Sequence, residues 1–524
     1  MDYIKLLHIE GFRKFTQIDV PFNEHMNILV GENEAGKSTI FDALKIVLNQ
    51  QYKNADKSVL KEMFNTYMIE RFVNKPTVKT LPYIYIELQM QLNPKSKNAE
   101  YFYGENNSNK KASFGIIFEC RFDEDLGNGL EKDIEAGKIP FEYYSLHWTT
   151  FSGLPYYLVK RPFNFLAIDT SNSDAGNSFN YYNRTLFSSR YDESTRMGVK
   201  NEFRERLNST FSNIELDDID EHRKFGINEK KVILETILSV YENSIALENR
   251  GSGMESLIKT QIALDKRKSN LDVIMIEEPE NHLCFTNMKK MLQEIADRQS
   301  DSQILVATHS NMIASRLNLN NVLWITDDAV ISLGDVNENV ATFFMKADDN
   351  SFLQLLLSKK VILVEGATEF LLLPKIYSQL KQQTIEDDGI SIISCNGISY
   401  KHYLEIAKKT GKRIAVITDN DQKEERIDQF KQFNSKNDIQ HIFMANDVND
   451  WTWEACFYKL NRAVFDNMIT VQAGADYLVH GKDYGQVLGK MLNNKVDSAY
   501  QMLISDTVFE IPQYVKDAIR WLNE

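Results

Sequence analysis

An eight-residue segment, residues 31–38 (GENEAGKS), limits the possible folds of this chain more than any other. It fits the pattern G-x-x-x-x-G-K-[ST]. The apolar run 28–30 precedes it, and residues 38–48, mostly good helix formers, follow it. Glycines in such a turn let backbone N–H groups close around phosphate oxygens at a helix N-terminus. We therefore predict a nucleotide site in which Lys37 reaches the outer phosphates and the Ser38 hydroxyl binds Mg²⁺. The predicted ATP-binding residues of this segment are Gly31, Asn33, Gly36, Lys37, Ser38 and Thr39.

Length and composition limit the class of protein. A chain of 524 residues is too long for one hydrophobic core, so we expect two or three domains. Hydrophobic residues make up 43% and charged residues 26%, as in soluble globular proteins. The start of the chain lacks the unbroken apolar stretch of a secretory signal, and apolar runs elsewhere are far shorter than a bilayer span. We therefore expect a cytoplasmic protein.

Neither the cysteines nor the net charge indicates a special class. Cys120, Cys284, Cys395 and Cys456 are widely scattered and lack the close spacing of a zinc site, so we expect reduced thiols. The net charge of −14 argues against a surface covered with DNA-binding charge, although it is compatible with a local basic groove. An acidic total also fits either a chain rich in metal-binding carboxylates or an ordinary acidic surface.

Short apolar runs predict an α/β fold in two domains. In the first part, residues 83–92 alternate between apolar and polar side chains, as in a half-buried strand. Several later runs are buried-strand signals with helices between them, which favours parallel sheets. These runs are residues 273–276, 304–307 and 322–325 in the first part, and residues 361–364, 390–393, 414–417 and 442–444 in the last part. We expect one domain over residues 1–345 and another over residues 346–524.

The middle of the first part is polar and interrupted. Residues 160–245 predict a helical insertion, with helices near residues 200–212 and 230–243. A dimerisation segment and an irregular lobe are equally compatible with this composition. With such a segment, dimers and tetramers are both compatible with the sequence.

Two polar segments follow predicted strands at positions where a nucleotide would lie. The run 273–276 ends in Glu277 and Glu278, a pattern that is weak alone and strong when it follows a phosphate-binding loop. We expect Glu277 to bind Mg²⁺ and Glu278 to polarise the attacking water. His309 follows the run 304–307, at the carboxyl end of a strand, where α/β sheets bind ligands. We expect His309 to contact the γ-phosphate and sense its loss.

These features resemble ABC-type ATPases of the SMC and RecF kind, and residues 11–15 (GFRKF) also look like theirs. The resemblance implies a dimer that closes two nucleotides between the phosphate-binding loop of one subunit and a Ser-Gly signature of the other. Ser252 and Gly253 match that signature best, although a flexible turn has the same composition. For the glutamine that usually contacts the metal, Gln89 and Gln91 are weak candidates.

The last part of the chain carries a second set of acids at predicted strand ends. Glu365 follows one buried run, and Glu369 lies one helical turn later. Asp419 and Asp421 follow another run, and residues two apart in extended backbone share a face, so both can bind one ion. Carboxylates without His or Cys select Mg²⁺ or Mn²⁺, and two such ions can activate a water and stabilise the leaving oxygen of a phosphodiester. We expect Glu365 and Asp419 to be catalytic as well as metal-binding.

These four acids match the Toprim signature, which topoisomerases, primases and certain nucleases share. An ABC ATPase followed by a Toprim domain resembles the overcoming lysogenization defect (OLD) family over nearly the whole chain. Residues 277–283 resemble the family's acidic motif, with Cys284 where a His is often found, and residues 511–519 fit its tail. The resemblance implies that Glu454 is a further metal ligand and that Lys495 stabilises charge on the phosphate. A solvated helix-terminal lysine is the other interpretation of Lys495.

The resemblance implies an ATP-regulated, Mg²⁺- or Mn²⁺-dependent endonuclease that cleaves DNA, often in antiviral defence against bacteriophage. Family members act alone, beside a helicase-like protein, or with a retron reverse transcriptase and its DNA. Two alternatives stay open: a Toprim nuclease that acts on RNA or tRNA, and a non-cleaving, ATP-dependent DNA clamp or sensor. The intact set of acids argues against the clamp. Strand passage is disfavoured because no additional domain with a nucleophilic tyrosine is visible.

Overall fold

The computed structural model describes the chain except residues 54, 97, 127–128, 170–174, 215–222, 224, 229–231, 265–270, 282, 298–301, 347–350, 396, 398 and 473–475. The chain divides into two compact units, Met1–Gly334 and Asp335–Glu524. This division falls a few residues before the boundary expected after residue 345. Within the described residues, every helix is too short or too polar to span a bilayer.

The first unit contains two larger sheets, a short ribbon and their helices. Its strands are β1 (Tyr3–Phe12), β2 (Phe15–Pro21), β3 (Met26–Val30), β4 (Ile84–Gln91), β5 (Tyr103–Gly104), β6 (Ser113–Phe122), β7 (Tyr144–Thr150), β8 (Phe165–Asp169), β9 (Tyr241–Glu242), β10 (Ile245–Ala246), β11 (Val273–Glu277), β12 (Gln303–Ala307), β13 (Val322–Ile325) and β14 (Val330–Ser332). Its helices are α1 (Lys37–Asn49), α2 (Leu60–Met63), α3 (Thr66–Asn74), α4 (Glu131–Glu135), α5 (Ala175–Arg190), α6 (Glu193–Ser212), α7 (Leu234–Ile237), α8 (Ser252–Leu264), α9 (Phe285–Asp297) and α10 (Asn311–Arg316).

The first sheet is antiparallel, with the strand order β2-β1-β4-β6-β5 and with β7 also paired to β6. In β2, Ile18 and Val20 are buried while Gln17 and Asp19 are exposed, the alternation of a sheet with one face on the core. The predicted half-buried strand at residues 83–92 is confirmed as β4. Helix α1 packs on β1, β4 and β6, and one hydrophobic core contains side chains of this helix and of both sheets.

The second sheet has the strand order β14-β13-β3-β12-β11-β8 and is parallel except for β14. Every residue of β3, β11 and β12 is buried, which explains why these strands read as continuous apolar runs in the sequence. In the register, Ala307 pairs with both Leu29 and Glu277. The segments that follow β3, β12 and β11 therefore start side by side at one edge of the sheet.

The middle segment differs from its prediction. Helix α6 covers the predicted helix at residues 200–212. The helix predicted at residues 230–243 is wrong beyond α7, because β9 and β10 then form a two-stranded ribbon. Asn243 and Ser244 have positive φ angles of 50° and 65° in the two-residue turn of that ribbon, a turn in which polar residues of this kind are favoured. Strand β8, also inside the expected insertion, belongs to the parallel sheet.

The second unit alternates strands and helices. Its strands are β15 (Lys360–Val364), β16 (Ile390–Ser394), β17 (Arg413–Ile417) and β18 (Gln440–Phe443). Its helices are α11 (Glu338–Lys346), α12 (Phe352–Leu357), α13 (Ala367–Lys381), α14 (Tyr400–Thr410), α15 (Glu424–Asn434), α16 (Trp453–Leu460), α17 (Arg462–Met468), α18 (Gln486–Asn493), α19 (Lys495–Ile504) and α20 (Gln513–Asn523).

The four strands of the second unit form a parallel sheet in the order β16-β15-β17-β18, which confirms the predicted α/β alternation. Helix α20 packs on β17 and β18, and its apolar side chains share one core with α13 and α16. In the central pair, Val364 at the end of β15 lies opposite Ile417 at the end of β17. The acids that follow these two strands therefore start at neighbouring positions.

Candidate functional site

Two glycines shape the loop after β3. Gly36 has a φ angle of 103° and precedes the first turn of α1, and a Cβ atom there would lie 2.2 Å from the Phe15 ring. At Gly31, a Cβ atom would lie 2.8 Å from the carbonyl oxygen of Ile325. Close packing therefore requires glycine at both positions, and Gly36 also needs it for its left-handed backbone. The loop leads into the N-terminus of α1, an arrangement that suits phosphate binding.

Lys37 is the first residue of α1, and its ammonium group lies within this loop. Its Nζ donates to the carbonyl oxygens of Gly31 and Glu32, both at 3.2 Å, and lies 3.5 Å from Nδ1 of His309. Burial lowers the pKa of Lys37, an effect that the negative charge of Glu278 opposes. The structure thus brings together the predicted phosphate-binding lysine and the predicted sensor histidine, which come from two neighbouring strands of the parallel sheet.

The other predicted nucleotide residues lie in two places. Asn33 and Ser38 are exposed on the loop and on the first turn of α1, whereas Thr39 is buried. Ser252 and Gly253 are the first two residues of α8, and Gly253 is buried. Their pairing with the loop of a second subunit stays a prediction.

The remaining candidates of the first unit are two glutamines, a cysteine and His282 of the acidic motif at residues 277–283. Gln89 lies in β4 and donates to Glu87 at 2.9 Å, and Gln91 is the last residue of the same strand. Cys284 is exposed as a free thiol. His282 lies outside the described residues.

The turn between β1 and β2 lies against the phosphate-binding segment. Arg13 forms an ion pair with Asp42 of α1, and the Lys14 ammonium donates to the carbonyl oxygen of Glu34 at 2.6 Å. The Phe15 ring occupies the space that a side chain at the second loop glycine would need. The sequence resemblance singled out residues 11–15, but the spacing of these residues carries no signal for their contacts with the loop.

The acidic pair ends β11. Glu277 is buried, and one of its carboxylate oxygens lies 3.8 Å from the Lys45 ammonium of α1. Glu278 has a φ angle of 47°, and its N–H donates to the carbonyl oxygen of Ala307 at 2.8 Å. Burial raises the pKa of Glu278, and the nearby carboxylate of Glu280 raises it further. A carboxyl group whose pKa is raised in this way is suited to accept a proton from water.

Glu280 belongs to the nucleotide site, although the sequence analysis assigned it no function of its own. Its Oε1 accepts from the Thr308 hydroxyl at 2.7 Å and from the His309 N–H at 2.9 Å. His309 Nε2 in turn lies 3.5 Å from Glu278, and burial together with the charge of Lys37 lowers the pKa of His309. A single carboxylate therefore connects the turns after β11 and β12. Its signal in the sequence was the third acid of residues 277–280.

In the second unit, Glu365 and Asp419 follow the paired strand ends of β15 and β17. Glu365 Oε2 accepts from the Thr418 hydroxyl at 2.6 Å and from the Asp419 N–H at 3.2 Å. This contact follows from the register, because Val364 and Ile417 are directly opposite one another. The backbone after β17 thus orients the first acid.

Glu369, Glu454 and Lys495 come from three different helices. Glu369 is buried and accepts from the Gly366 N–H at the start of α13 at 3.1 Å. Burial raises the pKa of Glu369 to about 7, and the negative charge of Glu454 adds to that effect. Glu454, also buried, has Oε2 3.0 Å from the Lys495 ammonium. Burial acts to lower the pKa of Lys495, but the carboxylates of Glu454 and Asp419 outweigh it, so this pKa is raised.

Asp419 connects β17 with the start of α16. Its Oδ1 accepts from the Trp453 N–H at 3.0 Å. Burial raises its pKa well above the usual range, and the negative charges of Glu369 and Glu365 contribute to the shift. The structure therefore brings together Glu365, Glu369, Asp419, Glu454 and Lys495, which we call the acid cluster.

Asp421 differs from its expected geometry. The backbone is not extended there, because β17 ends at Ile417 and Asp421 has a φ angle of 53°. The premise that two residues in extended backbone point the same way is therefore wrong for Asp419 and Asp421. Asp421 forms an ion pair with Arg426, which also donates to the Thr418 hydroxyl at 3.0 Å. Its role as a metal ligand stays a prediction.

The chemistry of the acid cluster fits hard divalent cations. Its donors are carboxylates without histidine or cysteine, the set that Mg²⁺ and Mn²⁺ prefer. The carboxylates outnumber the one lysine, and two of them, Glu369 and Asp419, have raised pKa values that a bound cation would lower. Across the described part of the chain, however, no group of three or more His, Cys, Asp or Glu residues is already arranged to hold an ion. Side chains would have to turn on binding.

The nucleotide site lies in segments that match a known family, and Glu365, Glu369 and Asp419 of the acid cluster lie in a segment that matches another. Residues 3–147 and 178–314, more than half of the chain, match the family described as "AAA ATPase domain". Residues 356–421 match the family described as "Overcoming lysogenization defect protein-like, TOPRIM domain". The fold and these matches define an ATPase domain followed by a Toprim domain. The chain belongs to the AAA ATPase domain family and has the architecture of the OLD family that the sequence resembles.

Curated relatives match only short parts of the chain. The chain is 44% identical to urease accessory protein 2 of Cryptococcus neoformans over 52 residues, which are 10% of this chain and 4% of that protein. It is 36% identical to the DNA replication and repair protein RecF of Clostridium acetobutylicum over 61 residues, 11% of this chain and 17% of that protein. A solved structure of RecF with ATP has 11% identity and a TM-score of 0.35, covering 63% of this chain and 99% of that one.

Proposed function

We propose that this chain is an ATP-regulated, divalent-metal-dependent endonuclease that cleaves DNA phosphodiester bonds by a two-metal Toprim mechanism. We further propose that it serves antiviral defence. It acts as a homodimer or tetramer, alone or with a system partner such as a helicase-like protein or a retron reverse transcriptase with its DNA.

The observation that carries the proposal is the acid cluster. Four carboxylates and one lysine gather where parallel strands end, and two of the carboxylates, Glu369 and Glu454, are buried. An ordinary structural ion-pair network would balance its charges, since unpaired buried carboxylates are costly. The excess of negative charge supports a site built for divalent cations and for the phosphate that they bind.

In the first unit, we assign ATP hydrolysis to residues of the parallel sheet. Lys37 exchanges its two carbonyl partners for phosphate oxygens, and Ser38 and Glu277 hold the nucleotide's Mg²⁺. Glu278, whose pKa is raised, takes the proton of the attacking water. His309 lies within reach of both Lys37 and Glu278, so it can respond to the γ-phosphate.

In the second unit, the acid cluster binds the cations and orients the DNA phosphate. Bound Mg²⁺ or Mn²⁺ would supply an activated water and stabilise the leaving oxygen. Glu365 and Asp419 accept hydrogen bonds from backbone N–H groups and a hydroxyl, which orient one oxygen of each carboxylate. Lys495 pairs with Glu454, a carboxylate that would help to hold a cation, and its ammonium would stabilise charge on the phosphate.

The main alternative is an ATP-dependent DNA clamp or sensor that does not cleave. The ion pair of Asp421 with Arg426 favours this alternative, because a protein cation already occupies one of the four signature acids. A Toprim nuclease that acts on RNA or tRNA uses the same acids and differs only in its substrate.

The test is cleavage of supercoiled plasmid with Mg²⁺ or Mn²⁺, with and without ATP. Asp419→Ala should lower nicking or linearisation roughly 100-fold or more, because it removes a carboxylate that would hold the catalytic cations. Asp428→Ala, which removes an exposed carboxylate of α15, is the matched control and should cleave like the wild type. Lys37→Ala then reports how ATP regulates cleavage.

Two outcomes would contradict the proposal. Cleavage that persists in Asp419→Ala would exclude this acid cluster as the nuclease site. Tight DNA binding without any cleavage, even with the system partner added, would favour the clamp. Cleavage of RNA in place of DNA, abolished by Asp419→Ala, would keep the mechanism and change the substrate.

A further inference from the structure

A groove of about 520 Å³ in the second unit carries aromatic side chains that the proposed mechanism does not use. Trp451, Tyr458 and Tyr484 line it, together with the apolar side chain of Leu488. The rings of Trp451 and Tyr484 have their centroids 5.3 Å apart and are inclined at 41°. The groove therefore offers flat apolar walls and has the size of pockets that bind small ligands.

The charges of the groove make it unsuited to phosphate alone. Lys459, the cation that lines it, has its ammonium 2.9 Å from both carboxylate oxygens of Asp450 and 3.6 Å from Asp447. This lysine is therefore outnumbered by two carboxylates, and Asp450 also lines the groove. Asn449 and Gln422 add amide groups to the lining. Flat apolar walls with amide and carboxylate groups suit an aromatic heterocycle with polar edges more than a phosphate.

The groove shares its elements with the acid cluster. Ala455 lines the groove and directly follows Glu454, and Gln422 lines it next to Asp421. Trp451 precedes by two residues the N–H group of α16 that donates to Asp419. A ring held in the groove would therefore have its attached phosphate close to the carboxylates.

We infer that this groove holds an unpaired base of a DNA strand next to the bond that is cut. The inference rests on the proposed nuclease function and names its substrate class: DNA with a single-stranded or extruded nucleotide at the cleavage position. Bases in a duplex are stacked on both faces, so they cannot contact Trp451 and Tyr484 unless they leave the helix. Stacking on aromatic side chains accepts any base, so the groove selects for strand state and not for sequence.

Binding is tested on the full chain without cleavage, using fluorescence anisotropy in EDTA. The probes are a short oligothymidine and a duplex of the same length. We expect Trp451→Ala and Tyr484→Ala each to weaken binding of the single strand roughly tenfold, and Trp451→Phe to keep most of it. Tyr500→Ala, which removes an exposed aromatic outside the groove, is the matched control and should bind like the wild type.

A second measurement reports on one base at a time and not on the overall affinity. In an oligonucleotide with a single 2-aminopurine, the fluorescence of that base should change at one position when it enters the groove, and the change should be absent in Trp451→Ala. Unchanged affinity in both alanine variants, or an equal loss for single strand and duplex, would overturn the inference. A tenfold effect seen with oligouridine RNA and not with DNA would also overturn it. Because no step here requires cleavage, a failure of the nuclease proposal would appear separately in the plasmid assay.

Discussion

The two proposed sites occupy the same kind of place, the carboxyl ends of parallel strands, yet they are built differently. In the first unit, a backbone loop with two glycines forms the nucleotide site, and Lys37 already balances part of the charge of the acidic pair. In the second unit, the acid cluster consists of side chains from strand ends and helix starts, and Lys495 balances only part of their charge. The nucleotide site is therefore preformed by steric packing, whereas the carboxylates of the acid cluster repel one another.

This difference predicts which substitutions and which ions should change the stability or activity of each site. A site formed by packing fails when a side chain is added, and it responds little to cations alone. A site with excess buried charge tolerates neutral substitutions and gains stability from cations or protons. The two sites should therefore respond in opposite ways to added side chains and to added cations.

Gly36→Ala should damage the nucleotide site most. The added Cβ would lie 2.2 Å from the Phe15 ring, at a φ angle of 103°. Displacement of the loop by about 1 Å is expected to cost roughly 100-fold in ATP hydrolysis. Gly153→Ala is the matched control, because Gly153 has a φ angle of 86° and open space around it, so only backbone strain of about 1 kcal/mol remains. Equal losses of hydrolysis in both variants would show that packing against Phe15 is unimportant.

Divalent cations should stabilise the second unit without nucleotide. Mg²⁺ or Mn²⁺ at 100 times its dissociation constant would add about 2.7 kcal/mol to the free energy of unfolding. Asp419→Asn should remove most of this gain, and in EDTA it should itself raise the unfolding temperature, because it deletes a buried charge whose pKa is raised. Differential scanning calorimetry of the full chain measures both effects. A variant that keeps the wild-type response to Mg²⁺ would contradict the excess-charge account.

In EDTA, Glu369 should make the second unit less stable as the pH rises. Its pKa in the folded state is about 7, above the value of about 4.3 in an unfolded chain. The stabilising contribution is therefore fully present below about pH 4 and is lost as the pH rises through 7. Glu369→Gln should flatten this part of the profile by an amount on the order of 1–3 kcal/mol. Urea unfolding at several pH values measures it, and identical profiles for both proteins would refute the prediction.

Arg426→Ala should have the smallest effect. It removes a positive charge beside the acid cluster and frees Asp421 from its ion pair. A partly exposed pair of this kind contributes about 1 kcal/mol or less, so the Mg²⁺ concentration for half-maximal cleavage should fall about threefold. Arg462→Ala, which breaks an exposed pair with Asp466 in the same unit, is the control. A higher Mg²⁺ requirement in Arg426→Ala would mean that Asp421 is not a ligand.

The sequence predicted the strands and the neighbourhood of both sites well, for a physical reason. Strands buried on both faces, such as β11, β15 and β17, read as continuous apolar runs with a polar residue where each one ends. Parallel pairing then brings those ends to one edge. The proximity of Glu365 to Asp419, and of Lys37 to His309, follows from this rule.

The sequence did not predict features that depend on local backbone turns or on contacts between residues distant in the chain. No sequence pattern at residues 419–421 indicates that Asp421 has a φ angle of 53° or that it forms an ion pair with Arg426. The helix predicted at residues 230–243 has helix formers, but the turn at Asn243 and Ser244 and its strand pairing override them. Glu280 is visible in the sequence as the third acid of residues 277–280, but its function in joining the two turns is seen only in its two hydrogen bonds.

Those two hydrogen bonds of Glu280 have an evolutionary consequence. One oxygen atom receives both the Thr308 hydroxyl and the His309 N–H, so a substitution at position 280 disturbs the turns after both strands together. If ATP turnover is lost during evolution while a nucleotide-dependent response is kept, few residues of this site can be substituted. A substitution at Glu278 leaves Glu280 itself in place, whereas a substitution at Glu280 removes both of its hydrogen bonds and would affect turnover and response in one step.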